Sequence, residues 1–97
     1  MLIIDAHLDL AYNALTWDRD LTQNIRRMRE SEAGMPEKGR GLNVVSFEEL
    51  RRGEIGLFFV TMCCRVASHG KLFPGVRTQD IAYANDRAQL AYYQLME

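Results

Sequence analysis

Apolar residues occur in short, separate blocks along the chain, and these blocks predict its strands. Residues 2–4 are Leu-Ile-Ile and are followed at once by polar residues; a short β-branched run of this kind is typical of a buried strand. Residues 55–64 form a longer apolar run, which predicts a second strand. Because that run is apolar on both faces, it suits the interior of a parallel sheet better than a half-exposed antiparallel one.

Apolar residues at spacings of three and four predict a helix after the first strand. Leu21, Ile25 and Met28 would lie on one face of such a helix. Asp20 precedes them and is a residue type that caps helices, so we expect the helix to begin behind it and to run through residues 21–29.

Two further helices are predicted by their capping residues. Ser46 and Glu49 have the spacing of a capping box. Gly53 stands where a helix would end, so residues 47–52 are predicted to form a short helix. Thr78 is a good N-cap residue and opens a helix that we expect to reach the end of the chain. The apolar positions of this last helix recur at spacings of three and four: Ile81, Ala84, Ala88, Ala91 and Leu95.

The predicted order of strand, helix, short helix, strand and long helix is the start of an alternating β/α chain with a parallel sheet. Residues 31–42, with three glycines and a proline, and the segment carrying His69 and Pro74 are predicted loops. Two strands do not make a stable parallel sheet alone, because their faces and edges stay uncovered. We therefore expect residues 1–97 to be the N-terminal fragment of one larger α/β domain.

Composition and charge narrow the range of functions. Twelve basic and thirteen acidic side chains give a net charge of −1, which argues against a nucleic-acid or membrane-surface partner. Cys63 and Cys64 are neighbours and would point to opposite faces of a strand, so we expect two buried thiols in a reducing compartment and not a disulfide. The sequence shows neither a secretory signal nor an apolar run that could span a bilayer, which predicts a cytoplasmic protein.

The most informative polar pattern follows the first predicted strand. Asp5, His7 and Asp9 alternate with apolar residues, and a period of two places them on one side of an extended backbone. An imidazole and a carboxylate at a strand end can converge on one divalent cation, and both are good zinc ligands. Alternatively, all three are turn residues bonded to local backbone. Asp5 either orients His7 as a second carboxylate behind the metal ligand or caps a turn.

Residues 2–10 read Leu-Ile-Ile-Asp-Ala-His-Leu-Asp-Leu and resemble the opening of the membrane dipeptidase (renal dipeptidase-like) family, in which a strand is followed by Asp-x-His-x-Asp-Leu. Residues 47–53 and 54–59 are similar to the family's Leu-Arg-Gly segment and second strand, and residues 88–93 to the helix that follows. The resemblance implies a zinc-dependent (β/α)8 TIM barrel of the amidohydrolase type, a metallopeptidase that hydrolyses dipeptides or related small amides. This chain would form its first β/α units.

The resemblance also implies roles for individual residues. In this family the first-strand His and Asp bind one metal of a two-zinc centre, so His7 and Asp9 are the expected zinc ligands. The bridging glutamate, two further histidines and a proton-transferring aspartate belong to later strands and have no counterpart here. We therefore predict no catalytic residue in this chain and no activity for it alone. His69 is expected to be an exposed loop residue and not a ligand.

Residues of the first β/α connection are candidates for substrate contact. Tyr12 and Asn13 are predicted to lie on that loop, and loops on this face of a barrel reach the substrate. Trp17 is predicted to pack over the barrel rim. The family includes homodimers, so a homodimer is the assembly that the resemblance allows for the full-length protein.

Two other interpretations come from different classes. In the first, the chain is a non-catalytic α/β protein that binds a partner, and His7 and Asp9 are ordinary polar residues without a metal. In the second, it is a phosphatase with an aspartate after its first strand. The phosphatase is disfavoured, because its Asp-x-Asp pattern is followed by Gly-Thr or Val-Thr and neither pair follows here.

Overall fold

The structure is a computed structural model of the 97-residue chain, and it describes residues 1–67 and 75–97. Within this described part the chain forms two strands and four helices. In chain order these are β1 (Ile3–Leu8), α1 (Leu10–Trp17), α2 (Ile25–Ser31), α3 (Phe47–Arg52), β2 (Ile55–Val60) and α4 (Gln79–Met96).

The two strands form a parallel sheet, as the sequence pattern predicts. Ile3 lies opposite Ile55, and Leu8 lies opposite Val60. The ladder extends one residue further, because the backbone N–H of Thr61 donates to the carbonyl oxygen of Leu8 at 3.2 Å. The carboxyl ends of both strands therefore lie at the same edge of a mixed α/β structure.

The sequence pattern predicts a loop where the structure has helix α1, and this expectation is wrong. Leu10, Ala14 and Trp17 recur at helical spacing, and Leu10 and Trp17 are buried. The helical spacing of apolar residues is present in the sequence, but it extends over only about two turns of helix. The helix ends at Asp18, whose φ of 52° is a left-handed conformation that aspartate adopts more readily than most residues.

The predicted core face of the second helical segment is confirmed. Leu21 and Met28 are buried together with Leu10 and Leu50, and Ile25 packs against this cluster. These side chains come from α1, α2, α3 and the turn before α2. They form the centre of the described core.

The predicted start of that helix is wrong. Asp20 does not cap a helix, because its carboxylate accepts hydrogen bonds from both the backbone N–H and the hydroxyl of Thr22 and so closes a turn. Asn24 begins α2 instead, and its side chain accepts from the backbone N–H of Arg26 at 2.8 Å. The Asx turn at Asp20 therefore competes successfully with helix initiation there.

The other two helix starts are confirmed. The hydroxyl of Ser46 accepts from the backbone N–H of Glu49 at 3.2 Å, and α3 ends at Gly53. The hydroxyl of Thr78 accepts from the backbone N–H of Ile81, also at 3.2 Å, and α4 follows to Met96.

Strand β2 ends at Val60, whereas the apolar run predicts strand as far as Cys64. The backbone beyond it finds a side chain as its partner: the N–H of Cys63 donates to Oε1 of Gln89 at 2.9 Å, and Nε2 of Gln89 donates to the carbonyl oxygen of Cys63. Helix α4 thus takes the place of a ladder partner. Cys63 and Cys64 are free thiols and are half-buried rather than fully buried.

Helix α4 packs through a different face from its apolar stripe. Gln89 is fully buried, and Tyr92 and Tyr93 pack against the core with their rings 6.0 Å apart in an edge-to-face arrangement. Tyr92 and Tyr93 are therefore packing residues. In contrast, Ile81 and Leu95 of the apolar stripe are 53% and 80% exposed, because the hydrogen-bonding face of the helix lies against the strand ends.

One face of the sheet is open to solvent. Leu57 and Phe59 lie two residues apart on β2 and therefore on the same face, and they are 48% and 59% exposed. Ile4, which pairs with Leu57, is 57% exposed. This surface, the open sheet face, consists of large apolar side chains that the described residues do not cover.

Residues 32–42 form an irregular connection, as predicted, and it is fixed by a buried carboxylate. Glu32 is 4% exposed and accepts two hydrogen bonds from Arg19, at 2.7 and 3.1 Å. Its oxygens also accept from Arg40 at 3.1 Å and from the backbone N–H of Gly41 at 2.6 Å. The hydrogen bonds from Arg19, helped by those from Gly41 and Arg40, lower the pKa of Glu32 to about 2, although burial alone would raise it.

Trp17 packs against the two arginines of this network. The guanidinium carbons of Arg19 and Arg40 lie 5.2 and 4.7 Å from the centre of its ring. Trp17 is therefore a packing residue, as predicted, and its partners are cations held by Glu32.

Candidate metal site

His7 and Asp9 lie together at the carboxyl end of β1. His7 is the last residue but one of the strand, and Asp9 stands between the strand and α1. The imidazole Nε2 of His7 lies 3.1 Å from Oδ1 of Asp9, and 71% and 40% of the two side chains are exposed. The structure thus brings the two predicted ligands together at the edge where a β/α barrel places its catalytic groups.

The spacing of these two groups fits a shared zinc ion. A tetrahedral zinc with bonds of about 2.0–2.1 Å holds its ligand atoms about 3.3 Å apart, close to the separation between His7 and Asp9. Within residues 1–67 and 75–97, no group of three or more His, Cys, Asp or Glu side chains is placed to hold a metal. Catalytic zinc sites have at least three protein ligands, so this pair fits as part of a site and not as a whole one. His69 lies outside the described residues.

Asp5 closes a turn at the strand end. Its Oδ1 accepts a hydrogen bond from the backbone N–H of His7 at 2.9 Å. Of the two roles that the sequence leaves open, this contact is the capping one, since the imidazole Nε2 of His7 faces Asp9. Asp5 still acts on the site, because it restrains the backbone that carries His7.

The end of β2 brings two more groups to Asp9, and the sequence pattern did not indicate either of them. The hydroxyl of Thr61 donates a hydrogen bond to Oδ1 of Asp9, and Sγ of Cys63 lies 3.9 Å from the same oxygen. Burial raises the pKa of Cys63 and the charge of Asp9 raises it further, so the group is a neutral thiol at pH 7. The available signal was positional: both residues follow the second of two parallel strands, whose carboxyl ends meet.

Tyr93 of α4 joins the two strand ends. Its hydroxyl donates to the carbonyl oxygen of Thr61 at 2.7 Å and accepts from the backbone N–H of Ala11 at 3.1 Å. Burial raises the pKa of Tyr93, so the donated proton stays on the phenol. One side chain therefore fixes the first turn of α1, directly after Asp9, against the residue that follows β2.

Asn13 lies beside Asp9, but on helix α1 and not on the predicted loop. Its Nδ2 donates to the carbonyl oxygen of Asp9 at 2.9 Å, and its Oδ1 accepts from Arg19 at 2.6 Å. Asn13 and Asp9 also line one cavity of about 220 Å³, whose other walls are largely apolar. A substrate contact through Asn13 stays a prediction.

Tyr12 also lies on α1, and it faces a different cavity. That cavity has a volume of about 240 Å³ and is bordered by Cys64 and Asn85. The hydroxyl of Tyr12 is buried and has no hydrogen-bond partner among the described residues. Of the two predicted substrate contacts, only Asn13 shares a cavity with Asp9.

Comparisons with known proteins identify no relative of this chain. In the described part of the chain, no helix is long and apolar enough to cross a membrane. No family model matches the sequence, and neither a curated protein nor a solved structure matches the chain. A functional assignment therefore depends on the residues at the two strand ends and on their geometry.

Proposed function

We propose that this chain supplies the first β/α units of a zinc-dependent (β/α)8 hydrolase of the membrane dipeptidase type, which cleaves dipeptides or related small amides. In this proposal His7 and Asp9 bind one metal of a two-zinc centre. A bridging glutamate and two histidines from other strands of the barrel complete the ligand set.

The observation that carries the proposal is the position and spacing of the His7–Asp9 pair. The two side chains lie 3.1 Å apart at the carboxyl end of a parallel strand. Both are substantially exposed, so a cation and a substrate can reach them. Neither side chain is buried in the core, so packing does not explain why the two groups lie together.

The open sheet face supports a larger barrel around this pair. Leu57 and Phe59 are about half exposed although they belong to the most apolar segment of the chain. In a β/α barrel both edges of such a strand pair are occupied by further strands, and the remaining apolar side chains fill the interior. The uncovered surface is what the first strands of an incomplete barrel would present.

The substrate in this proposal is small. Bound zinc would polarise the scissile carbonyl group and lower the pKa of a water molecule. The chain itself contributes His7 and Asp9 as ligands and Asn13 as a polar contact at the wall of the 220 Å³ cavity. A cavity of that volume accepts a side chain or one end of a dipeptide. Its walls are largely apolar, and Arg19 lines it as well as Asp9.

A second candidate is a non-catalytic α/β protein that binds a partner and has no metal. Two observations favour it. An imidazole and a carboxylate 3.1 Å apart also form an ordinary surface contact without a metal. In addition, no third ligand accompanies the pair within the described ranges. The two candidates differ in whether zinc binds at His7.

The test is a zinc titration of the 97-residue chain in which the imidazole signals of histidine are monitored by NMR. This method detects even weak binding. We expect the His7 signals to shift saturably with zinc. Asp9→Asn should weaken this binding by about tenfold or more, because a carboxylate ligand is replaced by a neutral amide. His7→Ala identifies the signals and should remove the response.

Asp20→Asn is the matched control, since Asp20 is an exposed aspartate that closes a turn elsewhere. Its zinc response should equal that of the wild type. If zinc leaves the His7 signals unchanged, or if Asp9→Asn binds as tightly as the wild type, the metal assignment is wrong and the non-catalytic candidate takes its place.

A further inference from the structure

We propose that Thr61 is a positioning residue, which holds the carboxylate of Asp9 in the orientation that metal binding requires. This inference rests on the proposed function, because it concerns the same site. It assigns a role to Thr61, the residue that directly follows β2.

The first step is the geometry at Asp9. The hydroxyl of Thr61 donates to Oδ1, and the imidazole of His7 and the thiol of Cys63 approach this same oxygen. The bond from Thr61 therefore fixes the position of Oδ1, the oxygen that lies 3.1 Å from the imidazole of His7, and with it the direction of the carboxylate.

The second step is that Asp9 needs such a restraint. Its side chain is 40% exposed, and it makes no capping hydrogen bond to α1 although it stands at the N-cap position. An exposed carboxylate without a fixed donor occupies several rotamers, and ordering it on metal binding costs conformational entropy. A single donor on a rigid backbone removes much of that cost before the metal arrives.

The third step is that Thr61 is itself rigid. Its backbone N–H donates to the carbonyl oxygen of Leu8 at 3.2 Å, and its own carbonyl oxygen accepts from Tyr93 at 2.7 Å. Threonine is β-branched, so its χ1 angle has few accessible values. The hydroxyl is thus held by the end of β1 on one side and by α4 on the other.

The experiment measures the zinc affinity of Thr61 variants in the 97-residue chain, by calorimetry or by the His7 NMR shifts. Thr61→Val keeps the shape of the side chain and removes the donor. Removing a hydrogen-bond partner behind a metal ligand typically weakens binding by about 10- to 100-fold. We expect a loss in that range for Thr61→Val. Thr61→Ser restores the donor and should bind within about threefold of the wild type.

Thr22→Val is the matched control, because the hydroxyl of Thr22 also donates to an aspartate, Asp20, away from the site. It should leave zinc affinity unchanged. The free energy of unfolding is measured for every variant, since a residue with only a structural role would lower stability without changing affinity. Should Thr61→Val fail to fold, Thr61→Ala replaces it in the comparison with Thr61→Ser.

The outcomes separate this inference from the proposed function. Weaker binding in Thr61→Val with rescue by Thr61→Ser supports the positioning role. Equal affinity in wild type and Thr61→Val overturns the inference and leaves the zinc site of His7 and Asp9 in place. Absence of zinc binding in the wild type overturns both.

Discussion

The side-chain amide of Gln89 forms with the backbone of Cys63 the pair of hydrogen bonds that a neighbouring strand would form. The N–H of Cys63 donates to Oε1 at 2.9 Å, and Nε2 donates to the Cys63 carbonyl oxygen. Gln89 is fully buried, and its Nε2 also donates to Oδ1 of Asn85 at 2.6 Å. Helix α4 therefore ends the strand and fixes the backbone two residues beyond Thr61.

The first prediction concerns this contact. Gln89→Ala leaves the N–H and C=O of Cys63, a half-buried residue, without these partners. Since an unsatisfied buried group costs about 1–3 kcal/mol, we expect the free energy of unfolding to fall by about 2 kcal/mol or more. Denaturant unfolding followed by circular dichroism measures the change.

Gln94→Ala is the matched control for that variant. Gln94 lies on the same helix and is exposed, so its removal should change stability by no more than about 0.5 kcal/mol. Equal effects of the two substitutions would show that the Gln89–Cys63 pairing does not hold α4 against the strand.

How much of the site could be predicted depends on how far apart its members lie in the sequence. His7 and Asp9 are two residues apart, so the alternation after the first strand already brings them together. The helix caps at Ser46 and Thr78 are equally local, because a cap bonds a backbone group three residues ahead. The helix start within residues 20–24 was harder to predict, because Asp20 and Asn24 are both residue types that cap helices or close turns.

The remaining contacts are tertiary, and no local pattern encodes them. Thr61 meets Asp9 across 52 positions, and Tyr93 meets Ala11 across 82. A polar residue such as Gln89 in the middle of a helix is ordinarily assigned to the exposed face. Here its amide satisfies a strand backbone, and this reverses which face of α4 is buried. The apolar stripe therefore predicted the helix correctly, although a different face of the helix is buried.

The second prediction concerns the buried carboxylate of Glu32. Glu32→Gln replaces it with an amide that cannot neutralise Arg19, whose side chain is only 7% exposed. Removing one partner of a buried ion pair costs about 3–5 kcal/mol, so at pH 7 we expect the variant to be less stable by roughly 3 kcal/mol. Glu37→Gln is the control, because Glu37 is more exposed and its contact with Arg40 is longer, at 3.5 Å. This substitution should have little effect on the free energy of unfolding.

The same carboxylate predicts how stability depends on pH. The pKa of Glu32 is lowered from 4.5 to about 2. A lowered pKa in the folded state means that the stabilisation is complete above the unfolded value and is lost as the pH falls towards 2. The difference in stability between wild type and Glu32→Gln should therefore narrow between pH 5 and pH 2, as measured by denaturant unfolding at each pH. A constant difference over that range would mean that the contact with Arg19 does not lower the pKa of Glu32.

The third prediction concerns the open sheet face. An uncovered apolar strand face promotes association between chains, so we expect the 97-residue chain to self-associate as its concentration rises in analytical ultracentrifugation. Leu57→Lys with Phe59→Lys should shift the chain to monomer at little cost in stability, because these side chains contact solvent already. Tyr83→Lys, an exposed aromatic residue on α4, should leave the association unchanged. A wild-type chain that stays monomeric and melts cooperatively would show that this face needs no cover, and it would remove the support that the face gives to a larger barrel.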